Sequence, residues 1–384
     1  MLDRPRRPTD RVSRPDDPLS ERLRDLCRVL TAAAEAGDEA RAVTPAIWER
    51  LRASGLLMAP FPVELGGDDV VSGVHHADLF DVLCRLGAAD LSVARLVEGH
   101  MNAVLLVRRY GTASQVAALA AAIAAGGLSG VWGAEGPVPL SAEPCEGGWR
   151  LAGGKILASG AGTVTYPLVP VRVGTEQMLM MPVLQSGERV DLSGWTAQGM
   201  RATATGTVDL SGLEVPKEGV VGDPGDFMRQ PTFSGGAWRF CAVHLGAAER
   251  LVDLMRHHLT SRGRAGDPYQ LQRVAEATAA VTTARFWVAA AAQRLGEATA
   301  TPETVVAFAN LTRGVTERAC LDVLERVHRG VGLGGFLRPH PIERISRDLA
   351  TYLRQPVPDL AMADAAKAIL ASDRDTATLW SATP

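Results

Sequence analysis

Apolar positions along the chain change period twice, from helical to alternating and back to helical. From Leu19 to about residue 125 they recur at three- and four-residue spacing, the repeat that gathers side chains on one face of an α-helix. In "SERLRDLCRVLTAAAEAG" Ser20 stands as an N-cap, Leu23, Leu26, Cys27 and Leu30 form one stripe, and Gly37 marks the end. "GVHHADLFDVLCRLGAAD" repeats the design with Leu79, Val82 and Leu83, and the prolines and glycines of "APFPVELGGDD" force a loop between them. Residues 126–222 then read as short alternating segments with frequent glycine, among them "GGWRLAGGKILASG", "YPLVPVRVG" and "GTVDLSGLEVP". Trp149 and Leu151, then Ile156 and Ala158, flank "AGG" as the arms of a hairpin. Beyond Pro224 long helices return. In "TPETVVAFANLTRGVTERACLDVLERVHR" the positions Phe308, Leu311, Val315, Ala319, Val323 and Val327 make one stripe, entered through Thr301 with Pro302 at the first helical position.

This pattern predicts an α+β protein in four segments: a flexible arm over residues 1–18, an N-terminal helical domain over 19–125, a central β domain over 126–222, and a C-terminal helical bundle over 223–384. The length of 384 residues suits several subdomains rather than one core. The late helices are Ala-rich and apolar on more than one face, which predicts a bundle with subunit contacts.

Composition narrows the partners. With 46% apolar residues and a net charge of −3, the chain lacks the positive excess of a nucleic-acid binder. Its five cysteines are odd in number and widely spaced, and its histidines are scattered; buried thiols of a reducing compartment and no metal site are expected. The N-terminus has no apolar core, and the most apolar run, Val116 to Leu128, is 13 residues long, short of the roughly 20 that span a bilayer. No membrane contact and a cytoplasmic location follow as expectations.

"HRGVGLGGF", His328 to Phe336, carries four glycines in six positions, as a phosphate-cradling loop would. It follows a long helix rather than a strand, and the β segments lack crossover helices, so a dinucleotide fingerprint of the Rossmann type is excluded by context.

Taken together, "LRASGLLMAPFPVELGG", "GGWRLAGGKILASGAG", "QGMRATATGTVDLSGLEVP" and "ERVHRGVGLGGF" with "HPIERISRD" resemble, in order, segments of the acyl-CoA dehydrogenase superfamily. The resemblance implies an N-terminal helical domain, a central β-barrel or sandwich and a C-terminal four-helix bundle. It also implies FAD at a subunit interface and a homodimer or homotetramer. On matching positions, Arg262 meets the flavin diphosphate of the partner chain, and Gly330 is the second glycine of the family's Gln-x-x-Gly-Gly, with Arg326 in place of the Gln and Arg329 in place of the first glycine. Ser159 falls beside flavin N5, Leu157 stands where many members have a Trp over the ring, and Trp132 and Ala134 lie at the flavin-contacting strand end.

Thioester dehydrogenation in that family needs a carboxylate that takes the α-proton. Here its position is Gln355 or Pro356, Gln355 thus standing at the flavin site without an acid. The nearest acid, Asp359, reads as an N-cap. The family's other location for the base holds Ala237 and Trp238, and Glu249 reads as a surface charge. The catalytic residues are therefore unassigned. Three functions remain open from the resemblance: an FAD-dependent oxidoreductase of an acyl thioester or related small molecule with an atypical base; a flavin-dependent monooxygenase supplied by a flavin reductase and using O₂; and a non-catalytic scaffold that docks an acyl carrier protein.

Overall fold

The computed structural model describes residues 18–297 and 300–381. The expected arm, apart from Pro18, lies outside them. The first helices are α1 (Leu19–Ala40), α2 (Pro45–Ala53), α3 (His76–Ala89), α4 (Leu91–Tyr110) and α5 (Ala113–Ala124). The α1 stripe is buried at Leu23, Leu26 and Leu30. Its ends differ from expectation: the helix starts one residue before Ser20, with Pro18 at the cap position, and passes Gly37 to stop at Arg41 in left-handed backbone. The glycine stays helical and buried inside α1; the turn that ends the helix comes one turn later.

Helix α4 is buried on nearly every side, from Leu91 through Val107. Asp90 caps it by accepting the Val93 N–H at 3.0 Å. On one side it meets the β domain. His100 fixes that contact as a neutral ring, its Nδ1 accepting the Ser129 N–H at 3.2 Å and its Nε2 donating to the Leu57 carbonyl at 2.8 Å. Burial holds its pKa down, at about 4.

Ten strands follow: β1 (Ser129–Val131), β2 (Ser141–Cys145), β3 (Gly148–Ala152), β4 (Gly154–Ala158), β5 (Tyr166–Val173), β6 (Glu176–Met180), β7 (Val190–Asp191), β8 (Gly206–Asp209), β9 (Glu214–Pro216) and β10 (Val220–Val221). They form a seven-stranded sheet ordered β10-β6-β5-β2-β3-β9, with β1 parallel to β5, and a three-stranded sheet ordered β4-β8-β7. The expected β3–β4 hairpin is absent. β3 pairs with β2 and β9, β4 pairs with β8, and the chain crosses between sheets at Gly153, with φ of +100°. One linking residue cannot make a two-residue hairpin turn; the hairpin is β2–β3, closed by Glu146 and Gly147, where φ is +82°.

The last third holds α6 (Thr232–Gly235), α7 (Trp238–Ser261), α8 (Pro268–Leu295), α9 (Pro302–Val331), α10 (Pro341–Tyr352) and α11 (Pro358–Leu370). Helices α7, α8, α9 and α11 pack as a bundle. Thr301 caps α9 through the Thr304 N–H at 3.3 Å, with Pro302 next, and the stripe is buried at Phe308, Ala319, Val323 and Val327. Helix α7 also joins the N-terminal helices through a reciprocal glycine contact. A Cβ on Gly87 would lie 2.1 Å from the Val243 carbonyl oxygen, and one on Gly246 would lie 1.9 Å from that of Cys84, so only glycine allows these backbones to meet. No described helix is long and apolar enough to cross a membrane.

Candidate active site

The β domain packs on α4, and α4 packs on α7 and α10, so a β wall and a helical wall meet at α4. The β wall begins where β4 ends. Trp132 donates its indole N–H to the Ser159 carbonyl at 3.0 Å, and the Ile156 N–H donates to the Ala134 carbonyl at 3.1 Å. These bonds bring together Trp132, Ala134, Leu157 and Ser159, four of the positions singled out from the sequence. The Ser159 hydroxyl is half-buried and lies 3.5 Å from that of Thr205, which is 2.8 Å from that of Thr203, whose hydroxyl donates to the Met200 carbonyl at 2.7 Å. Gly160 follows with φ of +70°, and a Cβ there would come within 2.9 Å of Leu96 on α4.

Leu157 is 63% exposed and has φ of +50°. A left-handed leucine costs about 1–2 kcal/mol. It coincides with a register shift between Lys155 and Ala158, the kind of bulge that re-aims a side chain. The result is an apolar plate beside a chain of hydroxyls. Lys155, fully buried behind it, is held by Glu135 at 2.5 Å.

The helical wall is charged. Arg95 meets Glu98 at 2.5 Å, Asn102 donates its amide to the other Glu98 oxygen, and the Asn102 carbonyl oxygen accepts from Arg239 Nε at 2.5 Å. Glu98 is 2% exposed and Arg239 7%. Glu98 thus pairs with one guanidinium, Arg95, and reaches the second, Arg239, only through the Asn102 amide, which leaves Arg239 a buried cation without an ion pair. Desolvation lowers the Arg239 pKa to about 10, so it stays charged at neutral pH. Arg95 lies over the Tyr352 ring, which packs edge-on against His244 at 4.5 Å. His244 is buried with Nε2 unpartnered. Burial and the charges of Arg95 and Arg354 pull its pKa to about 3, so it is a neutral ring throughout the physiological range.

None of this wall was picked out in the sequence. The signal was there: Arg95, Glu98 and Asn102 sit at three- and four-residue spacing within an otherwise apolar helix, which places a polar stripe on one face.

No free carboxylate takes the family's base position. Gln355 is half-buried and donates its amide to the Tyr352 carbonyl at 2.8 Å, and the Pro356 carbonyl accepts from Arg313 at 2.6 Å. Gln355 and His244 line one small cavity of about 70 Å³. Asp359 lines it too but is not an N-cap: Val357 occupies the cap, Pro358 follows, and Asp359 sits in the first turn of α11, where its charge suits the helix dipole. Ala237 and Trp238 begin α7. Glu249 pairs with Arg285 at 2.7 Å.

Arg262, Arg326 and Gly330 lie elsewhere. Arg262 ends α7, about 27 Å along the helix from His244 at 1.5 Å per residue, and is exposed. Arg326 already meets Glu276 at 3.0 Å, Asp322 at 3.3 Å and Glu325 at 3.0 Å, and Arg329 meets Glu325 at 3.1 Å. Gly330 is buried in the last turn of α9, where a Cβ would come within 2.9 Å of Met255 on α7. The helix stops at Gly332, whose φ of 74° and ψ of −156° are open essentially to glycine alone.

Two family models match the chain: Acyl-CoA dehydrogenase, N-terminal domain, over residues 17–127, and Acyl-CoA dehydrogenase, C-terminal domain, over residues 238–354. A dibenzothiophene monooxygenase of Rhodococcus erythropolis is 28% identical, with 91% of this chain and 92% of the relative aligned. The amino sugar nitrososynthase DnmZ of Streptomyces peucetius is 28% identical over 87% of this chain and 89% of its own length. Among solved structures, FMN-bound TdsC from Paenibacillus sp. A11-2 superposes with a TM-score of 0.81 at 20% identity, covering 94% of this chain and all of that one. With its helical, sheet and helical layers in family order and both domain models matched, the chain belongs to the acyl-CoA dehydrogenase superfamily, as a divergent member without the usual catalytic glutamate.

Proposed function

We propose that this protein is a flavin-dependent monooxygenase built on the acyl-CoA dehydrogenase fold, acting on a small molecule with reduced flavin supplied by a separate reductase. One observation carries the choice over thioester dehydrogenation. The acid position falls on Gln355, tied to the Tyr352 carbonyl, or on Pro356, neither of which can take a proton, and Glu98, the carboxylate of the helical wall, is locked between Arg95 and Asn102. A positioned base is worth roughly 10²–10⁴ in rate, and no carboxylate stands at the family's base position. The relatives named as a monooxygenase and a nitrososynthase support the same reading.

The β wall fits a flavin ring. Leu157 and Ala134 offer an apolar surface backed by the buried Trp132, and Ser159 offers a hydroxyl to the polar edge. FMN suits the site better than the FAD expected from the resemblance. The solved structure of TdsC is named as FMN-bound, and Arg326, expected beside a diphosphate, is already neutralised by three carboxylates. When bound, reduced flavin would supply the electrons that activate O₂. The chain's own residues hold the ring, keep water from its inner face through the packing of α4 against β1, and present a neutral His244 and a net cationic wall to the reacting groups.

The test is anaerobic titration of FMN-loaded and FAD-loaded protein with a panel of acyl thioesters. Flavin absorbance is expected to stay unchanged in the parent, while Gln355→Glu gains slow bleaching. Bleaching of the parent would favour dehydrogenation, and failure to load either flavin would favour a scaffold.

A further inference from the structure

A cavity of about 300 Å³, lined by Arg239 but not by Glu98, opens beside the helical wall. It is walled by α3, α4, the start of α7 and the end of α8. Small-ligand sites begin at about this size. Its lining includes Arg108, Arg109, Arg239 and His76 and contains no Asp or Glu.

The three arginines are not equivalent. Arg108 is satisfied, by Asp69 and by the Pro60 carbonyl. Arg239 and Arg109 have no carboxylate within ion-pair distance among the described residues. Arg239 spends only Nε on Asn102, so its terminal nitrogens lack a protein acceptor although the residue is 93% shielded. Trp238, 2% exposed and on the same wall, has an indole N–H with no partner. The indole donor is buried and unsatisfied, and the Arg239 terminal nitrogens, without a protein acceptor, open onto the same cavity; a buried donor left unpaired is costly unless something accepts from it. Leu79, Leu105, Ala292 and Leu295 complete the lining with apolar surface.

We infer that this cavity binds a small organic anion, its carboxylate, sulfonate or phosphate on Arg239 and Arg109 and its apolar body against Leu105 and Leu295. A planar guanidinium fork suits any of these oxyanions. The loop before α6 links the cavity to the β wall: Phe227 stacks edge-on with Phe233 at 5.3 Å and stands 3.6 Å from where a Cβ on Gly133 would lie. The inference rests on the proposed function in making this anion the substrate, and adds its charge and its anchor.

Calorimetric titration of the full chain, without flavin and with FMN, separates the two. The probes are benzoate, benzenesulfonate and the neutral isostere benzamide. The acids are expected to bind at least tenfold more tightly than benzamide, with Arg109→Gln weakening them severalfold and Arg239→Gln abolishing the preference. Because Arg239 is buried, its variant is checked for native circular dichroism, and Ala292→Trp, which fills the cavity without touching a charge, should block all three probes. Equal binding of benzamide, binding of none, or acid binding unaffected by both Arg109→Gln and Ala292→Trp would overturn the inference. Acid binding in a protein that takes up no flavin would leave the anion site standing and remove the redox reading.

Discussion

The two walls that meet at α4 are built in opposite ways. The β wall comes from Trp132 to Ser159, a span short in sequence, with the Lys155–Glu135 pair behind it and its apolar plate at Leu157 turned outward. The helical wall joins α4, α7 and α10, residues up to some 250 positions apart, and is buried and charged around Glu98. The first wall is shaped to receive something flat. The second is shaped to stay closed and to keep a positive charge inside, so damage to it should fall on folding before it falls on binding.

The largest effect is expected at Glu98. Replacing it with Ala removes the ion-pair partner of the half-buried Arg95 and the acceptor that holds Asn102 toward Arg239, and breaking a buried ion pair typically costs about 3–5 kcal/mol; urea unfolding would measure it. A stability loss below 1 kcal/mol would mean the helical wall is less dependent on charge than the packing indicates.

A second effect concerns pH. Asp348, 2% exposed, accepts the Met200 N–H at 2.6 Å and pairs with Arg344 at 3.2 Å, tying α10 to the turn behind Ser159. Desolvation, only partly offset by Arg344, raises its pKa to about 7. A carboxyl raised in the folded state binds its proton more tightly there than in the unfolded chain. Its contribution is therefore full below the ordinary carboxylate range and is lost as pH rises toward 7, with a slope approaching about 1.4 kcal/mol per pH unit. Asp90 shifts the same way. Asp348→Asn should flatten the Asp348 part of this profile, measured as unfolding midpoints from pH 4 to 8.

Smaller effects belong to the β wall. Ser159→Ala should leave stability unchanged but weaken flavin binding about fivefold, the loss of one hydrogen bond of about 1 kcal/mol, read from flavin fluorescence quenching. Leu157→Asn, a residue that tolerates left-handed backbone, should raise stability by up to about 1 kcal/mol while lowering flavin affinity. That opposite movement of stability and binding would mark Leu157 as a residue kept in strain for its surface.

The same contrast explains what the sequence revealed. The layer order, the α9 stripe and cap, and the residues of the β wall rest on local pattern and motif, and all were visible. The β3–β4 link was misread because alternation cannot say which strand a neighbour pairs with; that depends on one backbone angle at Gly153. Arg326 looked like a spare cation because Glu276 lies on another helix. Glu98 and Arg239 were passed over because their meaning arises only when α4 and α7 meet. A charge inside an apolar helix was the available clue.

The central claim is tested most directly by mixing protein-bound reduced FMN with O₂ and following hydrogen peroxide release. The account expects release to be delayed relative to free reduced FMN, because a monooxygenase retains activated oxygen for its substrate. Release as fast as from free reduced FMN, with full flavin occupancy, would contradict it.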